Sequence, residues 1–477
     1  MQTLSVVVFA LTLVGTLFVS WLGRRHEQAL GRRTVSGQHL NRWLVGLSAG
    51  ATANSGFVVT AAVALGYTGG MRWLLLPFGW LLGDILFWIA FPNRINAAGA
   101  AASATTLTDV IAYNVGGRRR RLFEVLIGGI TLVCLGGYVS AQWLAGQKFL
   151  AGAFGFQHLI SLVVFAGIII LYSALGGFRG SVYADTYQAM IRILGTGIAI
   201  VVVSVVASRH SGAFWLNIQN AGSDFLHLVP SGGYVAALGS ALGFGAAALG
   251  FGLGQPQIVT RYFAGESPGE TQSAWWIYML FVQATWVAMT VFGALLRGVM
   301  PSIADPEMGL SIFHRSTTGP VITGLIAGDV FATIASASNS ILVAMAQSFS
   351  VDLLGARRTP DGEHRHRDLW PVILILGIIT MAFSLSVQSS VLNLALSSVS
   401  LMGAGLAPAM IVRVMNWRHS ADSLLAAIVL GMIVAGLWRF AGYSAFVNEA
   451  APGIVAGLVG NALLAPRVRL RVAQAGD

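Results

Sequence analysis

Charge is scarce in this chain: 10% of its 477 residues are charged and 56% are hydrophobic, and there is a single cysteine, Cys134. A soluble domain carries roughly a quarter of its residues as Asp, Glu, Lys or Arg, so the shortage excludes a soluble fold and indicates an integral membrane protein. One cysteine excludes an internal disulfide. No basic residue precedes the first apolar segment, 3–23, whereas Arg24 and Arg25 follow it. A cleavable signal peptide has the opposite flanks, so the segment reads as a retained helix with its N-terminus outside. The core offers no nucleophile–base pair, metal-ligand spacing or phosphate loop, and the sequence therefore predicts neither an enzyme nor an organic cofactor. A formal net charge of +10 would suit a nucleic-acid partner. The basic residues, however, lie in short loops beside apolar segments, where they set topology and meet the lipid bilayer's anionic headgroups; no nucleic acid is expected.

What is present in quantity is long apolar segments. A crossing needs about 20 mostly apolar residues, and thirteen stretches qualify: 3–23, 43–67, 72–93, 122–147, 158–176, 182–207, 234–256, 272–297, 319–352, 369–388, 390–413, 420–440 and 446–466. With the N-terminus outside, 21 Lys and Arg residues fall in inside loops and 6 in outside loops, leaving Arg192 within a span. That asymmetry satisfies the positive-inside rule, supports an odd number of helices and puts the C-terminus in the cytoplasm of a cell (inner) membrane. The outside loop 208–233 reads as a solvated loop, 105–114 as a short interfacial helix, and 355–368 as a mobile cytoplasmic loop. No soluble domain is expected at either end.

One span is interrupted. LSAGATANSG, residues 47–56, places two glycines around small hydroxyl and amide residues in mid-membrane. Carbonyls freed by such a break survive only against protein or a water-filled cavity. If the first helix is set aside, this break lies in the first of ten helices. The other oddity, the glycine-rich run 239–256 ending in Gln255-Pro256, lies in the sixth. Matching interruptions in two halves point to an inverted-repeat transporter. The organisation expected is a single transmembrane domain: a leading helix and loop (1–42), a first repeat (43–207), a second repeat (234–416), two further helices (417–466) and a cytoplasmic tail (467–477).

Three stretches resemble the sodium/solute symporter family. They are LSAGATANSG (47–56), ALGGFRGSVYADTYQ (174–188) and GLGQPQIVTRYFA (252–264), the last similar to the proline-transporter branch. YVSAQWLAGQKFL (138–150) and SASNSILVAMAQSFSVDL (336–353) support them. The resemblance implies a thirteen-helix, five-plus-five core working by alternating access. It also implies a sodium site between the first broken helix and 319–352, made by the backbone carbonyls of Ala51, Asn54 and Thr333 and the hydroxyl of Ser336. The chain departs from the pattern at Ala337, where many members have a second hydroxyl, and at Ala53, where the proline branch has a carboxylate. Ser338 and Thr52 are the candidate substitutes. Asp185 matches a family aspartate expected to guide cation exit, although Arg192 could instead neutralise it.

For the substrate, the resemblance implies Ser55 and Gly56, with Gln142 as a further polar contact. Ala248 and Gly252 stand where the proline branch has aromatic residues, leaving Phe251 or Phe244 to close the pocket. Asp84 and Asp329 are carboxylates at membrane depth, where charge is expensive and usually functional. Asp329 is expected either to hold a substrate ammonium or carry a proton, or to sit paired or hydrated near the outer mouth, and Asp84 to make a structural hydrogen bond. The thirteen tryptophans read as interfacial anchors. The resulting expectation is sodium-coupled uptake of a small organic solute such as a proline-like amino acid or a carboxylate. Two alternatives stand: proton-coupled or cation-independent transport on the same fold, and a transporter-like membrane sensor.

Overall fold

The computed structural model describes residues 2–29, 39–230, 232–355, 369–387 and 390–466. Among them the only extended pairing is a bridge between Leu40 and Gly265. All other regular structure is helical, as lipid requires of a chain that cannot close a barrel.

A leading helix α1 (Gln2–Ala29) precedes the first core helix, which is built in pieces: α2 (Arg42–Ala53), α3 (Gly56–Val59) and α4 (Ala61–Gly69). The Asn41 side chain caps α2 by accepting from the Leu44 amide at 3.0 Å, satisfying one of the donors a helix start leaves free. Next come α5 (Leu75–Ala90), two short helices α6 (Pro92–Ala101) and α7 (Leu107–Ile111), and the long α8 (Gly117–Phe154). The fourth and fifth core helices run on as α9 (His158–Arg209), jointed at Gly177, whose φ of 66° and ψ of −176° only glycine adopts readily. The second half holds α10 (Ser211–Asn220), the sixth core helix as α11 (Gly233–Gly254) and α12 (Pro256–Phe263), then α13 (Pro268–Ser273) and α14 (Trp275–Val299). It continues with α15 (Gly309–Thr317), α16 (Pro320–Ser348), α17 (Trp370–Ser386) and α18 (Val391–Val414), and ends with α19 (Ala421–Phe440) and α20 (Ala450–Leu464).

Nine stretches among the described residues are long and apolar enough to cross a bilayer, and three shorter apolar helices, His158–Ala174, Trp370–Ser386 and Ala450–Leu464, join them. One of the nine, Gly56–Ala90, contains both the far half of the broken first core helix and α5. Separating these accounts for the thirteen crossings expected from the sequence. Leu11, Val14, Leu194, Val201, Ile375, Ile378, Val459 and Leu463 are exposed around the outside, as lipid-facing residues should be. α16 is different: nearly every residue from Thr323 to Ser348 is buried among α1, α2, α8 and α9.

Two loop expectations change. The 208–233 segment is not merely solvated: it contains α10, whose Phe214 and Ile218 cluster with Phe225, Ala207 and Ala294. A second helix the sequence did not suggest, α15, packs against α8 and α16. The short helix expected over 105–114 shrinks to α7, started by a capping box between Thr106 and Asp109. Most of the 355–368 loop, Arg32, Arg33 and the tail arginines lie outside the described residues.

Candidate functional site

The break in the first core helix is two residues wide. Asn54 (ψ 76°) ends α2 and Ser55 (φ −85°, ψ −177°) is extended. The amides that would close the helix go elsewhere. Ser55 N–H donates to the Ala53 carbonyl at 3.0 Å and Val58 N–H to the Ser55 carbonyl at 2.9 Å. Gly56 N–H donates to Gln142 Oε1 at 2.8 Å. The Ala51, Thr52 and Asn54 carbonyls thereby lose their usual donors four residues on. Gly56 must be glycine here, because a Cβ would lie 2.7 Å from Ala145 Cβ and 2.9 Å from Gln142 Oε1. The Asn54 side chain donates to Thr285 Oγ1 at 2.5 Å, and its own oxygen, buried, has no partner among the described residues. The sixth core helix breaks in the same way at Gln255 (φ −98°, ψ 106°), with Pro256 opening α12.

Beside the first break runs a polar seam between the second half of α9 and α16. Asp185 accepts from Ser336 Oγ at 2.8 Å, from Ser48 Oγ at 2.8 Å and from Arg261 Nη2 at 3.1 Å. Arg261, on α12, also donates to Ser340 Oγ at 2.6 Å, Ser181 Oγ at 3.2 Å and the Gln257 carbonyl at 2.5 Å. The partner of Asp185 is thus Arg261, not Arg192. Arg192 instead places Nη1 at 3.1 and 2.9 Å from the two oxygens of Asp329. This relocates Asp329, whose carboxylate is fully buried in that ion pair and does not line the cleft described below. The reason is steric as well as electrostatic: Gly195 opens the space on α9 that Asp329 fills, and a Cβ there would sit 2.4 Å from it. Thr333 Oγ1 turns back to the Asp329 carbonyl at 2.9 Å. The two candidate substitutes are committed, Ser338 to the Ile334 carbonyl at 2.7 Å and Thr52 to Ser340 at 3.1 Å.

On the other side of the break is a cleft of about 500 Å³ including its mouth, lined by Ser55, Phe57, Trp80, Tyr138, Phe251, Trp286, Leu396 and Val399 among others. It collects one wall from each of six core helices. Trp80 meets Phe251 edge-on at 5.6 Å and Trp286 at 5.3 Å, and Phe57 meets Trp286 at 5.4 Å. Of the expected substrate residues, Ser55 and Phe251 line this cleft, Gly56 and Gln142 stand behind it, and Asp329 is elsewhere. Phe244 packs against Gly79 instead. Trp80 and Trp286 depart from the expected interfacial role of tryptophan; Trp43, Trp275, Trp276, Trp370 and Trp417 are exposed, as that role requires. Asp84, one turn from Trp80, is buried without an ion-pair partner among the described residues. The Gln283 amide is beside it, yet neither Asp84 Oδ2 nor either Gln283 polar atom completes a bond.

Arg261 and the tryptophan walls were not read from the sequence. The signal for Arg261 was available: Asp185 at membrane depth requires a cation, and the short helix after the second break carries one.

Comparison with known proteins agrees with this architecture. The family model described as the sodium:solute symporter family matches residues 34–431. The osmoregulated proline transporter of Bacillus subtilis is 24% identical over 462 residues, covering 94% of this chain and 91% of that protein. The sodium/proline symporter of Escherichia coli is 23% identical over 470 residues, covering 96% and 91%. A solved structure of a Na+-coupled sialic acid symporter, in a substrate-bound outward-open state, superposes with a TM-score of 0.77 at 18% identity over 97% of this chain and 98% of that one, which shows the fold. With a two-break helical core and a family match over most of its length, the chain belongs to the sodium:solute symporter family.

Proposed function

We propose that this protein is a secondary active transporter that takes up a small organic solute together with sodium by alternating access. It does so in a cell membrane, with its N-terminus outside and its C-terminus in the cytoplasm. The observation that carries the reading is the release of the Ala51 and Asn54 carbonyls at a helix break with α16 packed on one side and an aromatic cleft on the other. Neutral oxygens freed from a helix hold a desolvated monovalent cation near mid-membrane. In this reading Ala51, Asn54, Thr333 and Ser336 surround the sodium ion. Asp185, bonded to Ser336, is the next carboxylate a departing ion meets.

The cleft suits a compact, largely apolar solute with one polar group. Four aromatic rings supply the surface, while Ser55 and the Tyr138 hydroxyl beside it supply the polar contacts. A proline-like amino acid or a small carboxylate has this character, and the named relatives transport proline. Family and relatives are transporters, and no catalytic activity is assigned. Asp84 favours a second reading, in which a proton accompanies or replaces sodium, because a buried carboxyl with no cationic partner is stable in its neutral form.

The test is uptake into proteoliposomes under an imposed sodium gradient, a proton gradient, or neither, with proline as the first solute. Sodium-driven accumulation supports the leading reading. Accumulation driven by protons alone and lost in Asp84→Asn selects the second.

A further inference from the structure

The seam between α9 and α16 has a strict register. Ser181 lies against Ser340 at 3.5 Å, Asp185 against Ser336 at 2.8 Å, and Arg192 against Asp329 at 2.9 Å. Moving along α9 by four and then seven residues moves back along α16 by the same steps, so the helices form an antiparallel polar ladder. One rung remains. Gln188, three residues beyond Asp185, falls opposite Thr333, three residues before Ser336.

Gln188 is 1% exposed, and neither its amide oxygen nor its amide nitrogen has a partner among the described residues. Buried side-chain amides in native proteins are nearly always bonded to protein, to ordered water or to an ion. The carboxylates on both sides are taken, Asp185 by Arg261 and Asp329 by Nη1 of Arg192, and Arg192 Nε and Nη2 are donors, not acceptors. Gln188 Oε1 is therefore the uncommitted acceptor that α9 presents at the Thr333 level. The second α16 hydroxyl is missing there, since position 337 is alanine, and Ser338 bonds to its own helix.

We propose that Gln188 is a ligand of the coupling sodium ion, its Oε1 supplying the side-chain oxygen that position 337 lacks. The inference rests on the sodium site of the preceding section and adds a residue from a third helix to it. An amide oxygen suits the role: it is a neutral, hard donor like the backbone carbonyls around it, so the ion is selected by coordination rather than by added charge. The ion would also tie the second half of α9 to the break and to α16, so that cation occupancy is felt by a helix that does not line the solute cleft.

The experiment is thermal unfolding of the purified protein titrated with sodium chloride against choline chloride at constant ionic strength. A sodium-specific rise in Tm gives an apparent half-saturation for the wild type. In Gln188→Met, which keeps length and loses the oxygen, the half-saturation should rise about tenfold or more, and adding Ala337→Ser should bring it back to within about threefold of the wild type. A wild type that responds to sodium together with an unmoved Gln188→Met overturns the proposal and assigns the amide to internal water. A wild type blind to sodium overturns the underlying site instead. Should Gln188→Met not fold, Ala337→Ser alone decides. A shell already completed by Gln188 changes by less than about threefold, whereas a tightening of about tenfold shows the shell was incomplete and sinks the idea.

Discussion

The two buried arginine–carboxylate pairs, Arg261–Asp185 and Arg192–Asp329, have the same chemistry and nearly the same burial. Their surroundings differ. Around Arg261, Ser48, Ser181, Ser340, Thr260 and the Gln257 carbonyl take up the remaining hydrogen-bonding capacity, and Ser336 and Ser48 do the same for Asp185. Around Arg192 there is only Asp329, and Arg192 Nε and Nη2 have no partner among the described residues. A buried ion pair offsets its desolvation only when its other donors and acceptors are satisfied. The first pair is therefore the hub of a network, and the second is a charge pair with a single further hydrogen bond, from Thr333 Oγ1 to Asp329 Oδ1 at 3.3 Å.

The contrast is broken most forcefully by paired replacement. Any single change that strands one charge, such as Asp185→Leu or Asp329→Leu, should cost about 3–5 kcal/mol. Replacing both partners should separate the two sites. Arg192→Met/Asp329→Leu should recover most of that loss in Tm, because little else depends on the pair. Arg261→Met/Asp185→Leu should stay strongly destabilised, because several buried serines lose their partners with it. Equal recovery in both double variants would remove the distinction.

A buried polar side chain that stays neutral sharpens the comparison. His314 on α15 lies between Phe292 and Phe313, with no partner for either ring nitrogen among the described residues. Burial pushes its pKa down to about 4. The unfolded chain therefore takes up a proton that the folded one refuses between an ordinary pH of about 6.5 and pH 4. The stabilisation is complete above that window and is lost as pH falls through it, by at most about 3 kcal/mol. Unfolding measured against pH should show this loss in the wild type, and His314→Phe should flatten it.

The smallest expected effect concerns the cleft. Trp286→Ala removes one aromatic wall at the price of about tenfold in apparent solute affinity, and the sodium-only rise in Tm should survive it. A loss of both would mean that the cleft and the cation seam are not separable regions.

The crossings and both breaks were legible in the sequence because each leaves a local mark: apolar length, and glycine or proline interruption. Partner choice was not. Asp185 and Arg192 are two turns apart on one helix, which suggested mutual neutralisation, yet each reaches across to another helix instead. Helical spacing places residues on a face without saying which neighbour packs there. Asp329 shows this most clearly: it lies one turn from Thr333 on α16, yet its partner comes from α9. The roles of Trp80 and Trp286 were hidden for a related reason: tryptophan composition does not distinguish a lipid interface from an internal wall.

The run of Arg118, Arg119, Arg120 and Arg121 looks in the sequence like a polybasic lipid anchor. Arg120 is drawn into Asp109 at 2.7 Å and Glu124 at 3.0 Å. Arg121 donates to the Asp352 and Leu353 carbonyls at 2.7 and 2.6 Å, at the very end of the α16 segment. Arg119 pairs with Asp422 at 3.0 Å on the exposed surface, so three of the four are engaged, and two of them stitch α8 to α7 and to the foot of α16. Sensitivity to the anionic-lipid content of the bilayer should accordingly rest on Arg118 and on Arg119, for which headgroups must compete with the exposed Asp422, while Arg120 and Arg121 act as rivets.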